Sequence, residues 1–168
     1  MYTADELIAL LELEPLPIEG GFFRRTYTAA DTVSAEALPA RYGSPRDFCG
    51  AIYYMLGPGD FSALHRLRTD EIYHFYLGDP VELLMLHPDG SHSLHTLGTD
   101  LRAGQSVQLV VPRGAWQGSR LVAGGGCALL GTTMAPAYEQ EDFELGMHDA
   151  LAAAYPACAD MIAALTRE

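Results

Sequence analysis

The chain has 168 residues, 49% hydrophobic and 19% charged, a balance that suits one globular domain with a full core. Its 22 acidic residues outweigh 10 basic ones, giving a formal net charge of −12. A surface this acidic repels phosphate backbones and anionic lipid, which argues against nucleic-acid and membrane partners.

Thr3-Ala-Asp-Glu6 reads as a capping box. Leu7, Ile8, Leu10 and Leu11 follow at helical spacing, and Pro15 and Pro17 stop the helix. Its apolar stripe is expected to pack on the outside of a barrel. No basic, apolar leader opens the chain, and no apolar run approaches the roughly 20 residues of a membrane span. Cys49, Cys127 and Cys158 show neither metal spacing nor a disulfide framework, so reduced thiols and a cytoplasmic location are expected.

Glu19-Gly-Gly21 is a turn, and Phe22 to Thr28 is a strand rich in aromatic and β-branched residues. Residues 29–47 lack a period and read as a long loop, either a lid or partner contact or exposed filler. Phe48 to Leu56 is a strand closed by Gly57-Pro-Gly59. A strand carrying His65, the turn Arg68-Thr-Asp70 and a strand from Glu71 to Gly78 come next. Val81 to Leu86 and Ser91 to Leu97 form a hairpin about Pro88-Asp-Gly90. Val107 to Val111 leads into Pro112-Arg-Gly114, and Gly124-Gly-Gly126 turns the chain into a strand from Cys127 to Met134. About eight strands without intervening helices predict a sandwich-like barrel. Phe143 to Ala154 and Ala157 to Leu165 read as two short helices, divided by Tyr155-Pro156, that cover an end or outer face.

Strand alternation sorts the faces. With Glu71 inward, Tyr73, Phe75 and Leu77 are inward too, and Ile72, His74 and Tyr76 point out. An outer face of that kind needs cover, which predicts a helix or a second subunit, hence a homodimer. Ser106, Gln108 and Val110 share one face of their strand and are expected to line the cavity, with Val107, Leu109 and Val111 in the core. Trp116 either walls the pocket or packs on the barrel. Arg24 and Arg25 are scarce cations, of which one clamps an anionic ligand group or forms a surface ion pair.

Gly59, His65, Glu71 and Gly78 stand where the first motif of the cupin superfamily places its glycines, a histidine and its glutamate. Leu67 takes the place of that motif's second histidine. Pro112-Arg-Gly114 resembles the second motif, with Gln117 in the place of its histidine. Glu19 to Tyr27, Asp70 to Gly78, Val111 to Gly118 and Glu141 to Gly146 together resemble the small cupin type 5 family, which has no assigned biochemical function. The resemblance implies a mainly β fold: a single cupin domain over 1–168, a double-stranded β-helix (jelly-roll) barrel with an N-terminal helix and short C-terminal helices. It also implies a homodimer, and it brings Gln117 into the cavity. The depleted ligand set implies either no cofactor or a weakly held divalent metal on His65, Glu71 and Gln117.

Without a metal, His65 and Glu71 can exchange protons, and Tyr73 can donate to a developing oxyanion. Gln108 and Gln117 offer hydrogen bonds to a small-molecule ligand, Phe75 and Trp116 a wall for a sugar ring, and Arg24 a clamp for an anionic group. That set suits an isomerase or epimerase acting on a sugar-like or small polar substrate. The alternatives are a metal-dependent oxygenase or lyase, and a non-catalytic module that binds a small ligand.

Overall fold

The computed structural model describes residues 2–167. Helix α1 (Ala4–Leu11) begins with the expected capping box: the Thr3 side chain accepts from the Glu6 N–H, and Glu6 accepts from the Thr3 N–H. It ends at Glu12, whose backbone is left-handed.

Thirteen strands follow among the described residues. The early ones are β1 (Glu14–Pro15), β2 (Phe22–Thr28), β3 (Thr32–Val33), β4 (Arg46–Asp47) and β5 (Gly50–Leu56). Then come β6 (Phe61–Arg66), β7 (Glu71–Gly78), β8 (Val81–Leu86), β9 (His92–Leu97) and β10 (Gln108–Val111). The set closes with β11 (Trp116–Leu121), β12 (Ala128–Met134) and β13 (Glu144–Leu145), followed by α2 (His148–Ala154) and α3 (Ala159–Ala164). One sheet runs β1-β2-β5-β12-β7-β10 and the second β13-β6-β11-β8-β9, with β3 and β4 paired separately. The named strands all pair antiparallel. This is the expected mainly β architecture, two facing antiparallel sheets of a cupin sandwich.

Burial explains the three layers. Tyr54, Leu56, Tyr73, Phe75, Leu83, Met85, Val111 and Leu130 fill the space between the sheets. The α1 stripe meets the outer side of the larger sheet through Leu7, Leu13, Met55 and Leu129. Leu151, Cys158, Ile162 and Leu165 of the C-terminal segment cover the outer side of the smaller sheet over Leu64, Leu84 and Leu86. None of the described helices is long and apolar enough to cross a membrane.

Four local expectations are corrected. β11 was not foreseen, because Gly118 and Ser119 disguise it; Gly118 has Leu64 packed where a Cβ would stand. The stretch expected as the start of a helix at Phe143 is extended at Glu144–Leu145, and Gly146 passes close to the Leu64 carbonyl. Leu77 packs outward with the α1 cluster, because a bulge opposite Leu129 and Leu130 leaves Tyr76 without a partner and reverses the alternation. Residues 29–47, expected as an irregular loop, are mostly exposed but carry the paired strands β3 and β4, and the loop is anchored where Arg46, 1% exposed, is salt-bridged to Asp142 at 2.8 Å.

Candidate functional site

A cavity of about 400 Å³ opens between the sheets and is lined by His65 of β6 and Glu71 of β7. Its size falls in the range of about 300–1,000 Å³ common for small-molecule sites. Apolar walls come from Leu16, Phe23, Ile52, Leu67, Met134 and Phe143.

His65 is fixed from three sides. Its Nδ1 lies 2.8 Å from the Ala63 carbonyl oxygen, which can only accept, so Nδ1 carries the proton. In the neutral ring Nε2 then holds the lone pair. Nε2 lies 4.0 Å from Glu19 Oε2, and the Phe143 ring stacks on the imidazole with centroids 5.1 Å apart. The ring is 2% exposed.

Glu71 is buried, and burial raises its carboxyl above the usual range. The charge of His65 opposes this rise, Glu19 adds to it, and hydrogen bonds from Thr132 and Gln117 oppose it. The Gln117 side-chain nitrogen donates to Glu71 Oε2 at 2.7 Å. Gln117 Oε1 is a buried acceptor without a donor among the described residues.

Sequence reasoning passed over Glu19 as a site residue. It lies on the cavity wall, and its second oxygen accepts from the buried Ser62 hydroxyl at 2.8 Å. The turn that presents it is strained: Ile18, a β-branched residue, has φ 70°, and Gly20 and Gly21 follow with positive φ. Arg167 anchors the turn by donating to the Ile18 and Glu19 carbonyls at 2.9 and 3.1 Å. The paired glycines after Glu19 were the available signal. Tyr138 also lines the cavity, its hydroxyl pushed up to about 12 by burial and then by Glu19 and Asp142.

Of the other expected site residues, Gln117 enters the interior beside Glu71, whereas Tyr73 and Phe75 sit in the sandwich core. Burial and the carboxylates of Glu71 and Glu19 hold the Tyr73 hydroxyl well above its ordinary value. One placement is corrected, and two open alternatives are decided away from the cavity. Gln108 is exposed on the outer face, where it meets His74 at 3.3 Å, because β10 is an edge strand that turns Leu109 and Val111 inward. Trp116 packs with the C-terminal helices and under the Arg66 guanidinium. Arg24 points outward to Glu12 and over Tyr53, while Arg25, on the same face as Phe23, lines the cavity.

A resident metal does not fit these residues. Leu67 offers no donor, and Gln117 turns an N–H rather than its oxygen toward Glu71. Among the described residues no three His, Cys, Asp or Glu side chains gather as a metal set.

The fold and this pocket define a cupin. Residues 5–146 match the family described as Cupin_5, Cupin superfamily (DUF985), and the chain belongs to that family. It is 35% identical to protein SO0799 from Shewanella oneidensis, with a TM-score of 0.86 over 99% of both chains. A hypothetical protein from Leishmania major is 28% identical, with a TM-score of 0.88 over 99% of this chain and 100% of that one. An uncharacterized yeast protein, YML079W of Saccharomyces cerevisiae, is 28% identical over 110 residues, 62% of this chain. The match spans 54% of that relative's length.

Proposed function

We propose that this cupin is an acid–base enzyme of isomerase or epimerase type, acting on a small polar carbonyl compound. One observation carries the reading: a histidine of fixed tautomer and a carboxyl group of raised pKa border the same largely apolar cavity. Catalytic acids and bases need such tuning toward neutrality.

In the proposed reaction His65 Nε2 takes a proton from the carbon next to the carbonyl. Protonated Glu71 gives its proton to the carbonyl oxygen, forming a neutral enol. In isomerisation the imidazolium gives its proton to the former carbonyl carbon while Glu71 takes back the proton of the neighbouring hydroxyl. In epimerisation water protonates the opposite face of the first carbon, His65 returns its proton to the hydroxide formed, and Glu71 recovers the enol proton. Glu19 beside Nε2 stabilises the imidazolium that forms. Gln117 suits both states of Glu71: its N–H donates to the carboxylate, and after an amide rotation its oxygen accepts from the acid. Apolar walls strengthen these interactions by excluding water.

The test begins with a thermal-shift screen of sugars, sugar phosphates and small keto acids, since binding to the folded state raises the melting temperature. Hits are then incubated with the protein in deuterium oxide. Deuterium should appear at the carbon next to the carbonyl, and His65→Asn should abolish incorporation while still binding. A ligand that binds the cavity but gains no deuterium would make the protein a binding module.

A further inference from the structure

All 10 cationic side chains of this acidic protein are arginines, and four of them, Arg41, Arg66, Arg68 and Arg113, line a single second groove of about 540 Å³. Leu67 and Phe143 line both this groove and the His65 cavity, so they form the wall between the two.

The carboxylates at the groove are largely committed. Asp142 accepts from Arg46 at 2.8 and 3.1 Å, and Glu141 accepts from Arg46 and from Ser44, both at 2.6 Å. Glu144 accepts twice from Arg66 at 2.8 Å, and Arg66 is spread over the Trp116 ring. The other three guanidiniums have no such partner. Arg68 reaches Asp142 only at 3.9 Å, Arg113 reaches Asp70 only at 3.8 Å, and Arg41 pairs with no carboxylate among the described residues.

Arg41 and Arg68 are nevertheless held side by side. Arg41 Nε donates to the Arg68 carbonyl at 3.0 Å, and Arg68 Nη1 donates to the Arg41 carbonyl at 3.3 Å. Tyr42 braces the pair, with Arg41 stacked on its ring and its hydroxyl 2.8 Å from Thr69 Oγ1. These reciprocal bonds hold two cations at one groove without a close carboxylate, an arrangement that an anion in the groove would stabilise. A single carboxylate is satisfied by one guanidinium edge, as Asp142 is by Arg46. Three guanidiniums from separate segments call for an ion with oxygens in several directions, which is the shape of phosphate.

We propose that the groove of Arg41, Arg68 and Arg113 binds the phosphate group of a small organic phosphate. The proposal holds whether or not the neighbouring cavity is catalytic; if it is, Leu67 and Phe143 would lie under the body of a phosphorylated substrate.

The test is titration of inorganic pyrophosphate into the full chain at low ionic strength, followed by calorimetry and by fluorescence of Trp116, the sole tryptophan, which stacks on Arg66 of the groove. Saturable one-site binding is expected, weakened at least tenfold in Arg41→Gln and in Arg68→Gln and unchanged in His65→Asn. Arg113→Gln, on an exposed turn, serves where the others fail to fold and should also weaken binding severalfold. Absence of saturable binding, unchanged affinity in the arginine variants, or equal binding of tricarballylate would overturn the proposal. Turnover plays no part in this readout, so its failure is distinct from failure of the acid–base reading.

Discussion

Replacing Arg46 by Met should destabilise the protein far more than any surface change. The Arg46 and Asp142 side chains are both fully buried, and two hydrogen bonds join them across 96 positions of sequence. Burial opposes the charge on Arg46, but its carboxylate partners keep the guanidinium firmly ionised. Arg46→Met leaves the buried Asp142 carboxylate without its two hydrogen bonds and with only Arg68 at 3.9 Å, a loss of roughly 3–5 kcal/mol. Against typical domain stabilities of about 5–15 kcal/mol, that is roughly a fifth or more of the total. The melting temperature should fall by roughly 10 °C, at about 2–4 °C per kcal/mol for a chain of this size. Urea unfolding followed by Trp116 fluorescence and circular dichroism gives the free energy, and native-state hydrogen exchange should rise in the 137–146 segment. The double variant Arg46→Met with Asp142→Leu removes both charges and should recover most of the loss. A single-variant cost under about 1 kcal/mol, or a double variant as poor as the two single variants added together, would refute the reasoning.

The two glycines of the first motif should respond differently to alanine. At Gly59 (φ 80°) no atom obstructs a Cβ, so only the left-handed backbone penalty of about 1–2 kcal/mol applies. At Gly78 (φ 103°) the new Cβ would collide with the Cys127 carbonyl and the Ala128 Cα of the paired strand, and a loss above roughly 3 kcal/mol is expected in thermal or urea unfolding. Glu71→Gln should change the pH profile of stability. Burial raises the folded-state pKa of Glu71, so the folded protein binds more protons than the unfolded chain. Its contribution is full below the ordinary carboxylate pKa and is lost as pH rises through the folded value. The stability of Glu71→Gln relative to wild type should therefore increase across that window in urea melts; a flat difference contradicts the assignment.

Local signals in the sequence carried much of the fold. The capping box at Thr3, the Gly57-Pro-Gly59 turn and the aromatic run from Phe22 each act within a few residues, and each stands where expected. The pair His65 and Glu71 was legible through the spacing it shares with the cupin motif rather than through strand parity, since β6 and β7 lie in different sheets that face each other across the cavity. Parity explains the failures. It holds until a bulge intervenes, as at Tyr76, and no residue type announces that bulge. Polar-inward logic failed at Gln108 because an edge strand gives its polar side to solvent. Applied from Phe23, the same alternation would have chosen Arg25 over Arg24. Contacts made by distant segments had no local mark: Arg46 with Asp142, Arg167 with the Glu19 turn, and Phe143 with His65.

Leu67 links the altered motif to the architecture around it. A histidine there would add a donor near His65 and place a polar ring in the wall between cavity and groove. Leu67 is instead buried, lines both spaces, and with Phe143 keeps the surroundings of His65 apolar. The loss of that donor is therefore coupled to a gain: an apolar wall raises the cost of ionising Glu71, so the same substitution that weakens a metal site favours a carboxyl able to hold a proton. Leu67→His would reverse both effects at once. Its expected result is measurable zinc or nickel binding by calorimetry, absent in wild type, together with loss of deuterium incorporation into any substrate of the cavity. Metal binding gained with incorporation intact would show that the apolar wall is not what tunes Glu71.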